Sequence, residues 1–125
     1  MSSAVSTPGL FVYGTLKSNF DNRWAKMLRE SASFLGTARL RGKLYRIAHY
    51  PGLKRGGRGD AWVIGELFWL HNPGKILEAL DLYEGDNFLR VRAVAYLEGG
   101  GRRACWTYEY GPAVQAQKKI ETGEF

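Results

Sequence analysis

The chain has 125 residues, 45% of them hydrophobic and 14% aromatic, with a formal net charge of +6 and a pI near 9.6. That length fits one domain, and the apolar share suffices to bury a core, so disorder is excluded as the default. A single cysteine, Cys105, rules out an internal disulfide, and no run approaches the ~20 apolar residues needed to span a bilayer.

Residues 1–9 are small and polar, with neither a basic n-region nor an apolar h-region, so they read as a loose tail and not as a secretory signal. The cytoplasm is the expected compartment, without membrane attachment. Leu10-Phe11-Val12-Tyr13 is a short apolar run that ends at Gly14, and it predicts a buried strand feeding a tight loop. Gly14 allows a sharp turn, with positive φ if required, and close approach of a ligand. Successive N–H groups of such a loop can cradle an anion. Asp21 is the expected N-cap of a first helix, on which Trp24, Met27, Leu28 and Ala32 share one apolar face.

From Phe34 to Ile47 the chain reads as extended, with Gly36 and Gly42 marking bulges or corners. Tyr50-Pro51-Gly52 reads as a turn, and Lys54 to Asp60 as a basic, Gly-rich loop. Trp62 to Leu70 is the clearest strand. Its two faces, Trp62, Ile64, Phe68 and Leu70 against Val63, Leu67 and Trp69, are both apolar, so cover on both sides is expected. Asn72-Pro73 opens a second helix that runs to Glu84, with Gly85 as its left-handed stop. Phe88 to Leu97 and Arg102 to Tyr110 predict a hairpin turning at Gly99-Gly100-Gly101. Residues 111–125 read as a second loose tail from which Phe125 can pack back. The sum is an α+β fold, a compact mixed β-barrel with about two flanking helices.

Two carboxylates stand out. At ~100° per residue, Ile76, Leu77, Ala79, Leu80 and Tyr83 define the apolar face of the second helix, and Glu84 falls near the centre of that stripe. Glu78 lies opposite and Asp81 at the margin. A carboxylate aimed at apolar surroundings has its pKa raised, as a general acid/base requires near neutral pH. Glu66 is the rival, on the Trp62–Ile64–Phe68 face of a covered strand. Pattern alone does not choose between them.

Taken in series, four segments resemble the γ-glutamylcyclotransferase-like superfamily, which includes AIG2-like proteins and γ-glutamylamine cyclotransferases. They are Phe11-Val12-Tyr13-Gly14-Thr15-Leu16, then Gly42-Lys43-Leu44-Tyr45 with Tyr50-Pro51-Gly52, then Val63-Ile64-Gly65-Glu66-Leu67-Phe68, and Leu80-Asp81-Leu82-Tyr83-Glu84-Gly85. The resemblance implies a cavity between the Tyr13–Leu16 loop and Glu84, with Glu84 as acid/base and Glu66 at a structural position. It implies Tyr13, Gly14, Thr15 and Leu16 as the binding residues for a small γ-glutamyl substrate. Its reaction would cleave a γ-glutamyl amide by attack of the substrate's own α-amine, releasing 5-oxoproline and an amine without metal or cofactor. The chain departs from the family at Phe88, where many relatives carry Tyr, and at Lys17-Ser18-Asn19.

His49 and His71, the only histidines, lack the companions a zinc site needs. Lys54-Arg55-Gly56-Gly57-Arg58-Gly59 does not repeat as true RGG segments do. A non-enzymatic barrel binding single-stranded nucleic acid is the disfavoured alternative. It would stack bases on Trp62, Trp69, Trp106 and Tyr108 beside Arg55 and Arg58.

Overall fold

The computed structural model describes residues 7–125. Six strands and two helices follow in the order β1 (Gly9–Val12), α1 (Arg23–Ser31), β2 (Ala32–Arg46), β3 (Pro51–Lys54), β4 (Ala61–Leu70), α2 (Pro73–Glu84), β5 (Phe88–Leu97) and β6 (Arg102–Tyr110). A short 3-10 turn occupies Ala116–Lys118. Strands β2-β4-β1-β6-β5 run side by side, and pairing of Ala38 and Arg39 on β2 with Leu97 and Tyr96 on β5 closes them into a five-stranded barrel. The barrel is mixed because β1 and β6 are parallel while its other pairs are antiparallel. The extra strand β3 hangs on the edge of β2. This is the mixed barrel with two helices expected from the sequence.

Strand alternation creates two cores. Phe11, Ala38, Leu40, Val63, Leu67, Ala95 and Cys105 pack together inside the barrel. Leu10, Val12, Phe68 and Leu70, on the opposite faces of the same strands, pack against Leu28 of α1 and Ile76, Leu77 and Leu80 of α2. Cover on both sides of β4 is therefore real, although it thins at Trp69, which is 39% exposed. The parallel contact of β1 with β6 is where these layers meet the site, because β1 ends in the loop that follows Val12.

Glycines mark the tight places. Gly36 takes φ +136° at the irregularity between β2 and β4. A Cβ on Gly42 would lie 2.9 Å from both the Leu53 side chain and the Lys54 carbonyl oxygen, so glycine there lets β3 lie close. Gly85 ends α2 with φ +81° and ψ −173°; φ is positive as expected, but ψ is extended, not left-handed helical.

Three expectations are corrected. The stretch Tyr50-Pro51-Gly52 is not the turn: Pro51–Lys54 is a strand paired with Lys43–Arg46, and the reversal lies just before it, where Ile47 and Ala48 N–H bond the Tyr50 carbonyl. Proline is admitted as the first residue of an edge strand, where no ladder donor is needed. The cap of α1 is Asn22 and not Asp21. Its Oδ1 accepts the Ala25 N–H at 2.8 Å while its Nδ2 donates to the Thr15 carbonyl at 2.7 Å, and aspartate has no donor for the second bond. Residues 111–125 are not loose. Ile120 N–H bonds the Leu44 carbonyl, Gly123 lies against Trp62, and the Phe125 ring stacks on Phe20. The expected N-terminal tail falls mostly outside the described residues, apart from Thr7, whose Oγ1 accepts from Arg92, Pro8, whose carbonyl accepts the Leu70 N–H, and Gly9, which opens β1.

Candidate active site

Several elements end around one cavity of about 690 Å³. The β1–α1 loop contributes Tyr13, Gly14, Thr15 and Leu16, followed by Asn22 and Trp24 of α1. The turn before β3 adds His49, Tyr50 and Pro51. The end of α2 brings Tyr83 and Glu84, with Gly85, Asp86 and Asn87 after it, while β5 and β6 close the wall with Phe88 and Tyr108. The predicted catalytic residue and all four predicted binding residues thus line the same space.

Each member of the loop is held for a different reason. Tyr13 is buried, and its hydroxyl donates to the Tyr108 carbonyl at 2.6 Å and accepts from the Leu53 N–H at 3.2 Å. Burial, then the charges of Glu84 and Glu109, push its ionisation far up, so it stays a neutral phenol. Gly14 has no positive φ; glycine suits the position because a Cβ would lie 3.0 Å from the Pro51 ring, close enough that the ring would have to shift. Thr15 Oγ1 and the Tyr83 hydroxyl share a hydrogen bond of 2.9 Å that ties the loop to α2. Leu16 is 4% exposed and packs into the core beneath the helices, so it offers the cavity backbone more than side chain. Lys17 turns away and donates from Nζ to the Phe125 carbonyl at 2.8 Å.

Glu84 is the last residue of α2 and does not bend away to water. It is half-buried and faces the cavity, where burial first and the neighbouring Asp81 carboxylate second push its pKa up to about 7. Such a group exchanges protons readily near neutrality. The rival carboxylate is committed elsewhere: Glu66 accepts the backbone N–H and hydroxyl of Ser18 at 2.6 and 2.9 Å and lies outside the cavity lining. It anchors the loop that carries Lys17 and Ser18.

Sequence reasoning missed Tyr83, Tyr108, Trp24 and Asn22 as members of the site. Tyr83 reads as part of the apolar face of α2, and Tyr108 as a core residue of its strand that serves as a stacking platform only under the nucleic-acid alternative. Nothing in a linear pattern shows that strand β6 delivers its tyrosine beside a helix end 24 residues earlier. The Phe88 position does lack a hydroxyl, and Phe88 packs on Tyr50 and Tyr110. Tyr108 brings a hydroxyl to the same wall.

The other candidate groups lie differently. His49 lines the cavity, while His71 bonds Ser33 at 2.9 Å. Among the described residues no three His, Cys, Asp or Glu side chains cluster as metal ligands. No helix among them is long and apolar enough to cross a membrane. Tyr108 is buried, the Trp62 ring lies beneath Arg39 and Arg41, and Trp106 beneath Arg90 and Arg92. Arg55 turns onto Glu109 and the Arg92 carbonyl, so the Trp62 and Trp106 rings carry other arginines.

Solved structures share this architecture. YkqA from Bacillus subtilis superposes with a TM-score of 0.75 at 20% identity over 94% of this chain, which spans only 39% of YkqA. An AIG2-like protein from Mus musculus gives a TM-score of 0.71 at 20% identity, covering 89% of this chain and 81% of the mouse protein. A structure titled γ-glutamyl cyclotransferase gives 0.58 at 17% identity, covering 82% and 66%. Among curated proteins there is no match. The sequence profile of the family described as "Gamma-glutamyl cyclotransferase, AIG2-like" matches residues 10–125. With that match spanning every element from β1 onward, the chain belongs to the γ-glutamyl cyclotransferase, AIG2-like family.

Proposed function

We propose that the chain is a γ-glutamyl cyclotransferase-type enzyme that converts a γ-glutamyl amide into 5-oxoproline and a free amine. The observation that carries this reading is Glu84, with a pKa near 7, facing the Gly14–Leu16 loop across one cavity.

The nucleophile is tethered in the substrate, so correct folding of the γ-glutamyl arm supplies much of the rate. Glu84 takes a proton from the α-ammonium. The freed amine attacks the γ-carbonyl carbon, a carbon–nitrogen bond forms, and the carbonyl becomes an oxyanion. As the oxyanion collapses and the amide bond breaks, Glu84 returns its proton to the departing nitrogen; the ring nitrogen then sheds its second proton, which the released amine carries away as an ammonium, so the carboxylate ends as it began. A carboxylate of pKa about 7 is a far better match for an α-ammonium of pKa ~8 than an ordinary glutamate at ~4.3. The Gly14, Thr15 and Leu16 backbone holds the γ-glutamyl part and supplies donors to the oxyanion. The Tyr108 hydroxyl gives its proton to Asp81, so toward the cavity its oxygen acts as an acceptor for the α-ammonium.

The lining also bears on the leaving amine. Its ionisable side chains include the carboxylates Glu84 and Asp86 and the imidazole of His49; among the described residues it holds no lysine or arginine. An amine carrying a carboxylate finds no cationic partner there.

The test is release of 5-oxoproline from a panel of γ-glutamyl amides by the wild type and by Glu84→Gln. Turnover is expected in the wild type and a loss of at least about 100-fold in the variant, the scale of general acid/base catalysis. Amides of carboxylate-free amines are expected to react faster than γ-glutamyl amino acids. Release that survives Glu84→Gln would remove Glu84 from the mechanism, and release from no substrate would remove the activity.

A further inference from the structure

Glu84 does not meet Asp81 alone. Asp81 sits one turn earlier on α2, and its Oδ1 accepts both Arg90 Nε at 2.9 Å and the Tyr108 hydroxyl at 2.6 Å. Its Oδ2 accepts a second guanidinium nitrogen of Arg90 at 3.2 Å. Arg90 and Tyr108 are directly opposed across the β5–β6 ladder, so two neighbouring strand residues grip one helix carboxylate. That grip fixes where the charge of Asp81 stands relative to Glu84. A bidentate fork of this kind sets geometry as well as attraction.

We propose that Asp81 and Arg90 act as a positioning pair whose net charge tunes the ionisation of Glu84. Asp81 alone would repel a second carboxylate on the same helix face and hold Glu84 protonated. Arg90 cancels part of that charge while keeping Asp81 off the substrate. The other ionisable groups toward Glu84 are Tyr13 from the β1–α1 loop, Tyr108 from β6, Tyr83 beside it on α2, Asp86 after the helix, and His49 from the turn before β3. Tyr13 and Tyr108 remain neutral, because burial and, for Tyr108, the bond to Asp81 push their ionisation far up. The pair is therefore the part of this surround in which an anion and a cation are bonded together. The consequence for turnover rests on the function proposed above; the ionisation itself does not.

The experiment follows the Glu84 side-chain carboxylate by ¹³C NMR through a pH titration of the substrate-free protein. Wild type, Asp81→Asn, Arg90→Gln and Arg90→Lys are compared. The midpoint is expected near 7 in the wild type, lower in Asp81→Asn by about half a pH unit or more, and higher in Arg90→Gln. Arg90→Lys keeps the charge and should return the midpoint toward the wild type. Loss of packing alone would lower thermal stability in the variants without moving the midpoint in opposite directions. Unmoved midpoints, or shifts of the same sign in Asp81→Asn and Arg90→Gln, overturn the proposal. If Asp81→Asn does not fold, the contrast of Arg90→Gln with Arg90→Lys decides alone. In an active enzyme the acidic limb of kcat/KM should move with each midpoint. Turnover absent from every protein, with midpoints that still move apart, would defeat the proposed function and leave the pair intact.

Discussion

Glu84 is where stability and chemistry oppose each other. Its folded pKa of about 7 lies above the ordinary glutamate value of 4.5, so the folded state binds the proton more tightly than the unfolded chain. The sign follows: stability from this group is complete below about pH 4.5, falls as pH rises, and is lost once pH passes about 7. Glu84→Gln removes the charge and keeps the shape. The variant should melt close to the wild type below pH 4.5 and above it at pH 8, with a gain on the order of 1–3 kcal/mol, allowing for partial solvent screening. Thermal melts at the two pH values check this, and an equal or lower melting point at pH 8 would mean that the carboxylate is well solvated after all.

Among the elements, the β1–α1 loop is held by side chains that each serve two partners. Asn22 caps α1 through Oδ1 and pins the Thr15 carbonyl through Nδ2. Asn22→Ala loses both bonds and should cost about 1–2 kcal/mol, as lost caps do. Asn22→Asp keeps the acceptor, and its charge suits a helix N-terminus, but it cannot donate to Thr15. It should therefore melt closer to the wild type than Asn22→Ala while raising KM, because the loop is no longer pinned. Melting points and steady-state kinetics on both variants separate cap from loop. The pairing of β1 with β4 depends on Gly65 in a similar way. A Cβ there would collide with the Val12 carbonyl oxygen and the Phe11 ring, so Gly65→Ala should disturb the strand that leads into the site. Soluble yield and near-ultraviolet dichroism report that disturbance.

Across the whole molecule, barrel closure separates an interior from an outer, helix-covered core. Cys105 belongs to the interior: it is fully buried, and burial pushes its thiol up to about 12. Reaction with a thiol reagent at pH 8 should therefore wait for the barrel to open, at a rate that tracks unfolding in denaturant. Fast labelling of the native protein would show that the β2–β5 closure breathes.

Much of this was legible in the linear chain because it depends on short-range rules. Alternation in Trp62–Leu70, the glycine turn between Phe88–Leu97 and Arg102–Tyr110, and the helical stripe ending at Glu84 are local patterns. The structure shows each of them as an element or a turn. The placement of Glu84 on an apolar face needs only 3.6-residue periodicity. Other features required contacts between distant segments. Strand β3 passes as a turn in the sequence because proline and glycine open it, and only its pairing with β2 makes it a strand. Asp21 reads as the cap because its carboxylate can accept first-turn N–H groups, but Asn22 both caps and donates to the Thr15 carbonyl, a contact with a loop residue that the linear chain does not show. Tyr13 appears as a ligand residue in the motif, but its hydroxyl is consumed by Tyr108 and Leu53 from other strands. Residues 111–125 lack periodicity because they dock through single bonds and one ring stack rather than through a repeating face. By itself the sequence determined most of the stretches that form strands and helices, and it put two carboxylates, Glu66 and Glu84, on apolar faces; the family resemblance, not the periodicity, chose Glu84. The tertiary structure alone decided which hydroxyls and charges surround that carboxylate, because Asp81 meets Arg90 and Tyr108 only when α2 packs against the β5–β6 hairpin.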